Sequence, residues 1–526
     1  MLAYFSSFFN VARSIRKLFL LFLITFFIKL SCLLYLIHLS HCFPGADFRH
    51  RGFIAWVAGD TPTYLDPVDN YLNKGEFYSL SSSGEKIHIG RGPYYGVPYF
   101  LFRLFFNQTP AYNLYALFQI ALASLAVLYY CLLCRLVVRN YIQQVQPMLS
   151  QQVQLENLAF GISFILFNVS LNTTIWDNEL WTESIHLSLF AFFAYHYFNY
   201  VNERRKDENV ENGNSIRYSK SFFYSALFLA LITLIKPYFC LVYVGVGIEL
   251  LVSMSFWKGV KKAAAFAIPL VVATLPWTIR NVVKYQRLVP VQEHNSYHWG
   301  KATFAYWNFL GSWGGSATHW DKRSAGCYFE PSPVEACEFV FPDYVFTKQY
   351  GMKDIEEVRN DFVRYQGLVR TNSSPQTTSN EQRTLEDTIA AKFNRLTATF
   401  KQEKPFFYYV VTPLLCAKKM IFHSGSYYLP IGKNSSCYKP RQMLIKLSQS
   451  ALYYLMLIFG WWGLIQLMRI KGMTLLAFIP LYLVFLLCFY LRATEFRYFD
   501  TTYPFFIIGF VYLLITTFRF RPKCYK

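Results

Sequence analysis

The stretch LFLLFLITFFIKLSCLLYLIHLSHC, Leu18 to Cys42, follows Arg16 and Lys17 and decides the fold class. At 1.5 Å per residue, a helix over this run can cross the roughly 30 Å hydrocarbon core of a bilayer. A secretory signal peptide has a shorter apolar core and a small-residue cleavage site. The run is therefore predicted to be an uncleaved first span with a cytoplasmic N-terminus, in which Lys29 faces the bundle or a cavity.

The composition of the whole chain supports a membrane protein. Of its 526 residues, 54% are hydrophobic and only 16% are charged, whereas a soluble domain carries about 25% charged residues. The net charge is +20, and the Lys and Arg residues stand in short clusters between apolar runs. Such clusters are explained by membrane topology better than by nucleic-acid binding, so no nucleic-acid partner is expected.

Nine further apolar runs give about ten predicted spans, or more. They cover 111–137, 157–175, 184–200, 221–236, 237–255, 263–279, 447–468, 473–490 and 503–518. The basic clusters fall in alternate loops, which places those loops in the cytoplasm. Two long segments, about 43–110 and 280–445, then lie on the non-cytoplasmic side.

The predicted fold class is an all-α transmembrane bundle with surface amphipathic helices in the first outer loop. A mixed non-cytoplasmic segment is inserted late in the chain. We divide the chain into an N-terminal transmembrane module (1–279), an outer soluble segment (280–445), and C-terminal spans with a basic cytoplasmic tail (446–526). Short linkers favour a bacterial inner (plasma) membrane as the location.

Asp60 is the first candidate site residue, in Gly59-Asp60-Thr61-Pro62. This sequence predicts a helix start with Thr61 as N-cap and Pro62 at the first helical position, and Gly75 ends the helix. The apolar residues between recur at helical spacing, so the helix is expected to lie on the bilayer surface. Asp60 either caps this helix or complements its dipole, or it takes a proton from an acceptor hydroxyl or holds a divalent metal.

The other candidates are charged residues near span boundaries. Arg91 stands in a Gly-Pro turn that lets a guanidinium approach an anion, or it is an interfacial, solvated residue. A charged Arg497 between two apolar spans is energetically costly unless it lies at the membrane surface or has a functional role. The acids of the short loop after the third span line a site or form a solvated loop; they are Asp177, Glu179 and Glu183.

In this order, these pieces resemble the GT-C fold membrane glycosyltransferases. The likeness is to the dolichyl-phosphate-mannose protein mannosyltransferases and the bacterial lipid A aminoarabinose transferases. The matching elements are Arg91-Gly92-Pro93-Tyr94-Tyr95 for "R-x-P-x-Y-P", Thr182-Glu183 for "TE", Pro276-Trp277-Thr278-Ile279-Arg280-Asn281 for "PW-x-x-RN", and Arg497-Tyr498 with Tyr503-Pro504 for a late "RY…P". The mannosyltransferases carry Asp-Glu where Asp60 is followed by Thr61, which weakens protein mannosylation as the activity.

The resemblance implies inverting transfer of a sugar from a polyprenyl-phosphate donor, at the outer membrane face. Asp60 would be the catalytic general base or a metal ligand. Arg91 and Arg497 would bind the donor phosphate, and Asp177, Glu179 or Glu183 would be a second acid. The implied partners are membrane lipid and a lipid, glycan or protein acceptor. No organic cofactor is expected, and the need for a divalent metal stays open.

Two other functions compete with this one. A transporter or flippase of a lipid-linked sugar would need polar groups near mid-bilayer, for which Lys29, Asn168 and Lys236-Pro237 are the hints. A non-enzymatic membrane scaffold would explain the topology but not the ordered motifs.

The second outer segment adds two open questions. Cys327, Cys337, Cys416 and Cys437 allow three disulfide pairings, among them Cys327–Cys337 with Cys416–Cys437, or stay unpaired. Four tryptophans could stack against a sugar or sit at the membrane interface; they are Trp299, Trp307, Trp313 and Trp320.

Overall fold

A computed structural model gives the architecture of most of the chain. The structure describes residues 14–41, 53–57, 59–81, 86–145, 152–208, 219–293, 300–317, 322–331, 337–371, 380–423, 440–492, 494 and 496–517. In these residues it is predominantly helical, with a single antiparallel pair of two-residue strands, β1 (Ser79–Leu80) and β2 (Lys86–Ile87). The prediction of an all-α membrane protein is thereby supported.

The described residues contain the following α-helices in chain order. They are α1 (Ile15–His41), α2 (Thr61–Lys74), α3 (Val97–Arg103), α4 (Gln108–Val145), α5 (Gln152–Val169), α6 (Thr182–Glu208), α7 (Lys220–Ile235), α8 (Cys240–Ser253), α9 (Phe256–Tyr285), α10 (Lys301–Trp313), α11 (Ala325–Tyr328), α12 (Met352–Thr371), α13 (Asn380–Glu403), α14 (Thr412–Ile421), α15 (Pro440–Leu467), α16 (Thr474–Phe485), α17 (Phe496–Phe499) and α18 (Tyr503–Thr517).

Among the described residues, five helical stretches are long and apolar enough to cross a membrane. They are Ile15–His38, Gln108–Gln144, Phe256–Tyr285, Pro440–Leu467 and Phe496–Thr517. Three shorter apolar helices are Lys220–Ile235, Pro237–Ser253 and Thr474–Tyr490. The two remaining predicted spans coincide with α5 and α6, so a helix stands at each predicted position. The number of spans, about ten, stays a prediction.

A close crossing of α15 and α18 sets the position of the late part of the chain. A Cβ added to Gly463 would lie 1.9 Å from the carbonyl oxygen of Gly509. Gly460 is equally tight against the backbone of Phe506. Glycines let two membrane helices approach this closely, and their backbones then pack directly. The short helix α17, just before α18, is carried in place by this contact.

The first outer loop folds back on itself through a buried carboxylate. Asp69 on α2 accepts hydrogen bonds from the Tyr99 hydroxyl (2.9 Å) and from Nε of Arg103 (2.6 Å), both on α3. The opposite side of α3 exposes apolar residues, including Leu101. These two helices are amphipathic as predicted, and their placement on a bilayer surface stays a prediction.

The second outer segment forms a helical unit with a core of its own. We call residues 300–403 the outer helical domain. Its core is aromatic and is shared by α10, α12 and α13; the central members are Tyr306, Phe309, Phe329, Phe362 and Phe393. The predicted mixed segment thus consists of helices and irregular stretches, with no strand among its described residues. Trp313 is 2% exposed and belongs to this core, so the idea that it stacks on a sugar is wrong.

Arg492 joins the outer helical domain to the membrane bundle. Its guanidinium lies 3.5 Å from the ring centre of Tyr408. It also donates hydrogen bonds to the carbonyls of Tyr408 (2.9 Å) and of Gly311 and Ser312 (3.3 Å each). Because the last carbonyls of a helix lack partners within the helix, a cation there is doubly favourable. The end of α10 is therefore fixed to the stretch that leads into α17.

Candidate functional site

Asp60 lies at the start of α2 but does not cap it. The helix begins at Thr61, one residue earlier than predicted, because Asp60 already has helical backbone angles (φ −76°, ψ −13°) and holds the N-cap position. The prediction that Thr61 is the N-cap is therefore wrong, whereas Gly75 ends the helix as expected (φ 72°). The Asp60 side chain makes no capping hydrogen bond, so the interpretation of Asp60 as a helix cap fails.

The carboxylate of Asp60 binds Arg497 instead. Nη1 of Arg497 donates to Oδ2 of Asp60 at 3.0 Å, with the two side chains 14% and 21% exposed, respectively. The guanidinium also lies 4.9 Å from the ring of Trp181 and 5.0 Å from that of Tyr498. The pair is thus held firmly by aromatic neighbours and remains partly open to solvent. This geometry joins two residues that the sequence placed in the site independently.

Arg91 lies beside the same helix. Its Nη1 donates to the Tyr64 hydroxyl at 2.6 Å, and its guanidinium stands 4.1 Å from the Tyr64 ring. Burial alone would raise the pKa of Asp60, and the charge of Glu183 adds to that effect. The positive charges of Arg497 and Arg91 outweigh both and hold the pKa below its usual value. Asp60 is therefore a carboxylate at neutral pH.

A second ion pair, Glu183 with Lys236, lies next to this cluster. Nζ of Lys236 donates to Oε1 of Glu183 at 3.0 Å, and both side chains are buried. The same Nζ stands 5.5 Å from the ring of Tyr498. The sequence offers Lys236-Pro237 as one of the polar hints for a transporter and does not place Lys236 in the candidate site. A lysine inside an apolar stretch is a signal of function or of a buried partner, and that signal was present.

Glu179 is the third acid near Arg497. The backbone of its loop pairs with the segment around Trp56, through Trp56 N to Asn178 O (2.9 Å) and Leu180 N to Trp56 O (3.1 Å). Burial raises the pKa of the Glu179 carboxyl to about 8, with a further rise from Glu183 and a smaller decrease from Arg497. Among the described residues, no partner bonds its Oε2. Glu179 is therefore mostly protonated at neutral pH.

Asp177 faces a different partner. Its Oδ2 accepts from Nζ of Lys29 at 2.8 Å, and its Oδ1 accepts from the Ser184 hydroxyl at 2.7 Å. Lys29 is 1% exposed and also donates to the Thr173 carbonyl and the Thr174 hydroxyl. Lys29 thus faces the bundle, as the sequence suggested. Of the second-acid candidates, Asp177 has both oxygens engaged away from Arg497.

Arg280, in the stretch resembling "PW-x-x-RN", holds the first outer loop against α9. Its guanidinium donates to the backbone carbonyls of His88 (3.0 Å) and Phe77 (3.3 Å). It also lies 4.4 Å from the ring of Trp277. These contacts are all internal to the protein, so Arg280 supports the loop that carries Arg91 and does not itself reach the Asp60 carboxylate through any described hydrogen bond.

The charges of the site do not fit a divalent metal. Arg91, Arg497 and Lys236 provide three cations, whereas Asp60 and Glu183 provide two carboxylates once Glu179 is protonated. In the described part of the chain, no three His, Cys, Asp or Glu side chains are grouped as ligands. Since each carboxylate already has a cation, this arrangement suits an anion such as a phosphate. We derive no step through a metal.

Comparison of the chain with known protein-family models, with characterised proteins and with solved structures gives no match. The GT-C assignment stays a prediction that rests on the motifs quoted above.

Proposed function

We propose that this chain is a membrane glycosyltransferase that moves a sugar from a polyprenyl-phosphate donor to an acceptor hydroxyl. The observation that carries the proposal is the ion pair between Asp60 and Arg497, 437 residues apart in sequence and 3.0 Å apart in space. A base and an anion-binding cation meet there, partly open to solvent, with Arg91 close enough to influence the same carboxylate. General-base transfer to a phosphate-leaving donor requires these two groups together.

The reaction follows from these groups. Asp60 accepts the proton of the acceptor hydroxyl while the acceptor oxygen attacks the anomeric carbon of the donor sugar. The bond from that carbon to the phosphate oxygen breaks, and polyprenyl phosphate leaves with the bonding electrons. Arg497 and Arg91 stabilise the charge that grows on the phosphate. Because the displacement is single, the anomeric configuration inverts.

Arg497 has to bind the Asp60 carboxylate first and the donor phosphate afterwards. Its Nη1 binds Asp60 and its Nη2 donates to the Tyr498 hydroxyl at 3.2 Å. A donor phosphate that competes for the guanidinium weakens its hold on Asp60, and the carboxylate becomes a stronger base as a result. Donor binding thus prepares the base for the acceptor.

The test uses water as a surrogate acceptor, because water offers the O–H nucleophile that the general base would activate. The purified protein in lipid nanodiscs is incubated with polyprenyl-phosphate mannose or polyprenyl-phosphate aminoarabinose, and the released sugar and polyprenyl phosphate are measured. We expect Asp60→Asn to lower release at least about 100-fold, the usual contribution of a general base. Glu76→Gln is the matched control, since Glu76 lies in the same predicted outer loop and forms an exposed ion pair with Lys86. Release by Asp60→Asn at the wild-type rate would refute the mechanism.

A transporter is supported less well by the same structure. Of the polar residues that suggested it, Lys29 and Lys236 are each bound to a carboxylate, and the Asn168 amide donates to the Phe164 carbonyl of its own helix (2.8 Å). Movement of a donor across proteoliposomes that contain Asp60→Asn protein, in the absence of release, would favour transport.

A further inference from the structure

The loop at the edge of the outer helical domain brings two cysteines together. Cys327 lies in α11, and Cys337 follows it in the next described stretch. The two thiols lie close enough for Cys337 to raise the pKa of Cys327. Sequence alone left three pairings open among the four cysteines of this segment, and the structure makes this one a neighbour pair.

The backbone around the two cysteines is held independently of their thiols. The Glu338 N–H donates to the Lys322 carbonyl at 2.9 Å, and Sγ of Cys337 lies 3.4 Å from the same oxygen. The side chains of Arg323 and Glu338 pair at 3.2 Å. The stretches before Cys327 and after Cys337 therefore lie side by side, and this proximity is the first requirement for a bond between the two sulfurs.

The remaining cysteines of the segment have other surroundings. Cys416 is fully buried, and its Sγ faces the Arg492 carbonyl at 3.7 Å. Cys437 lies outside the described residues. Burial and contact with Cys337 raise the pKa of the Cys327 thiol to about 11, so Cys327 is a poor nucleophile and is better suited to a structural role than to catalysis.

We propose that Cys327 and Cys337 are joined by a disulfide in the mature protein. The bond forms by exchange with the disulfide of a thiol oxidoreductase in the compartment. Both cysteine thiols lose their protons, one sulfur–sulfur bond forms, and the oxidant's disulfide becomes two thiols. The loop so closed leads directly to Phe339 and Phe341, whose rings pack 6.2 Å and 5.8 Å from Trp313. The disulfide thus fixes the stretch that covers the end of α10.

The proposal is independent of sugar transfer but depends on where the domain lies. Disulfides persist outside the cytoplasm and are rare within it. A bond at this site places the outer helical domain on the oxidising side, which is the side that the positive-inside rule predicts.

The experiment needs only the wild-type chain. Intact cells are treated with N-ethylmaleimide, and the protein is purified without reductant, denatured, alkylated again and digested. Both cysteines fall in one tryptic peptide, Ser324 to Lys348, and a glutamyl endopeptidase separates them by cutting after Glu335. We expect the two fragments to remain joined until dithiothreitol is added. Cys240, an exposed lone cysteine in α8, should carry the alkyl group and shows that the reagent reached the protein.

Two single variants sharpen the result. In Cys327→Ser, Cys337 should become alkylated without reductant, and in Cys337→Ser the same should hold for Cys327. A wild-type peptide that carries two alkyl groups before reduction would overturn the proposal, whatever the variants do.

Discussion

The charge pairs of the membrane bundle and those of the outer helical domain differ in burial. In the bundle, Lys29–Asp177 and Lys236–Glu183 are nearly inaccessible, with side chains at most 10% exposed. In the outer domain, the Lys301–Asp387 pair is 69% and 62% exposed. A buried pair that loses one partner leaves an uncompensated charge, whereas an exposed pair is replaced by water. These bundle pairs therefore hold fixed positions, whereas the Lys301–Asp387 pair does not.

Removing one member of a buried pair should have the largest effect on stability. Lys29→Met leaves the Asp177 carboxylate buried without its cation, at a cost of about 3–5 kcal/mol. We expect a large fall in the thermal denaturation midpoint in detergent, measured by the folded fraction that survives heating. The double variant Lys29→Met/Asp177→Asn should recover most of the loss, and a double variant as unstable as the single one would contradict this account.

Arg497 should have the next largest effect, on activity. Arg497→Gln removes one donor to the phosphate, which is expected to lower sugar release about 10²–10³-fold. It also removes the charge that depresses the pKa of Asp60, so the acid limb of the pH–rate profile should move to higher pH. Arg364→Gln, which breaks an exposed pair with Glu381, is the control and should keep both rate and profile. If the acid limb of Arg497→Gln stayed at the wild-type pH, Arg497 would not be the group that lowers the pKa of Asp60.

Glu179 should make stability depend on pH. Its pKa rises from 4.5 to about 8 on folding, so the folded state binds more protons than the unfolded state between these values. Stability is therefore greatest below the unfolded pKa and falls as pH rises to about 8. We expect a loss of up to about 1.4 kcal/mol per pH unit across this interval, seen as a falling denaturation midpoint from pH 5 to pH 9. Glu179→Gln should flatten that slope, and an identical slope in both proteins would speak against a buried acid.

The smallest effect should come from the exposed pair. Lys301→Met in the outer helical domain should change the free energy of unfolding by less than about 1 kcal/mol, because water replaces the lost contact with Asp387. The same measurement as for Lys29→Met applies. A loss of stability as large as that of Lys29→Met would show that the exposed pair contributes as much to stability as the buried pair of the bundle.

Local signals in the sequence predict much of the fold. Apolar runs and basic clusters locate the helices, and Gly75 marks the end of α2, because hydrophobicity and turn chemistry are properties of short stretches. The partners of buried charges are not local. Nothing near Lys29 indicates that Asp177 will neutralise it, and Trp313 resembles an interfacial residue until its core is seen.

In the candidate site, too, residues marked by local sequence signals are predictable, whereas residues defined by distant partners are not. Asp60, Arg91 and Arg497 were named from motifs, since each stands at an exposed-looking break between apolar runs. Lys236 was missed as a site residue because its role depends on Glu183 approaching from another helix. The assignment of Thr61 as N-cap failed by one residue, which is the usual uncertainty of a helix boundary.

Arg492 limits where the chain can be divided into separate expression fragments. The residue adopts a left-handed backbone (φ 51°) that few side chains tolerate, and its guanidinium is shared among carbonyls of α10 and Tyr408. An expression fragment that contains only the soluble part would strip the end of α10 of this cation. A fragment that contains only the membrane part would leave the cation without acceptors, next to the segment that carries Arg497. Purification tags and fusion partners are therefore best placed at the termini, and the two halves are best produced as one chain.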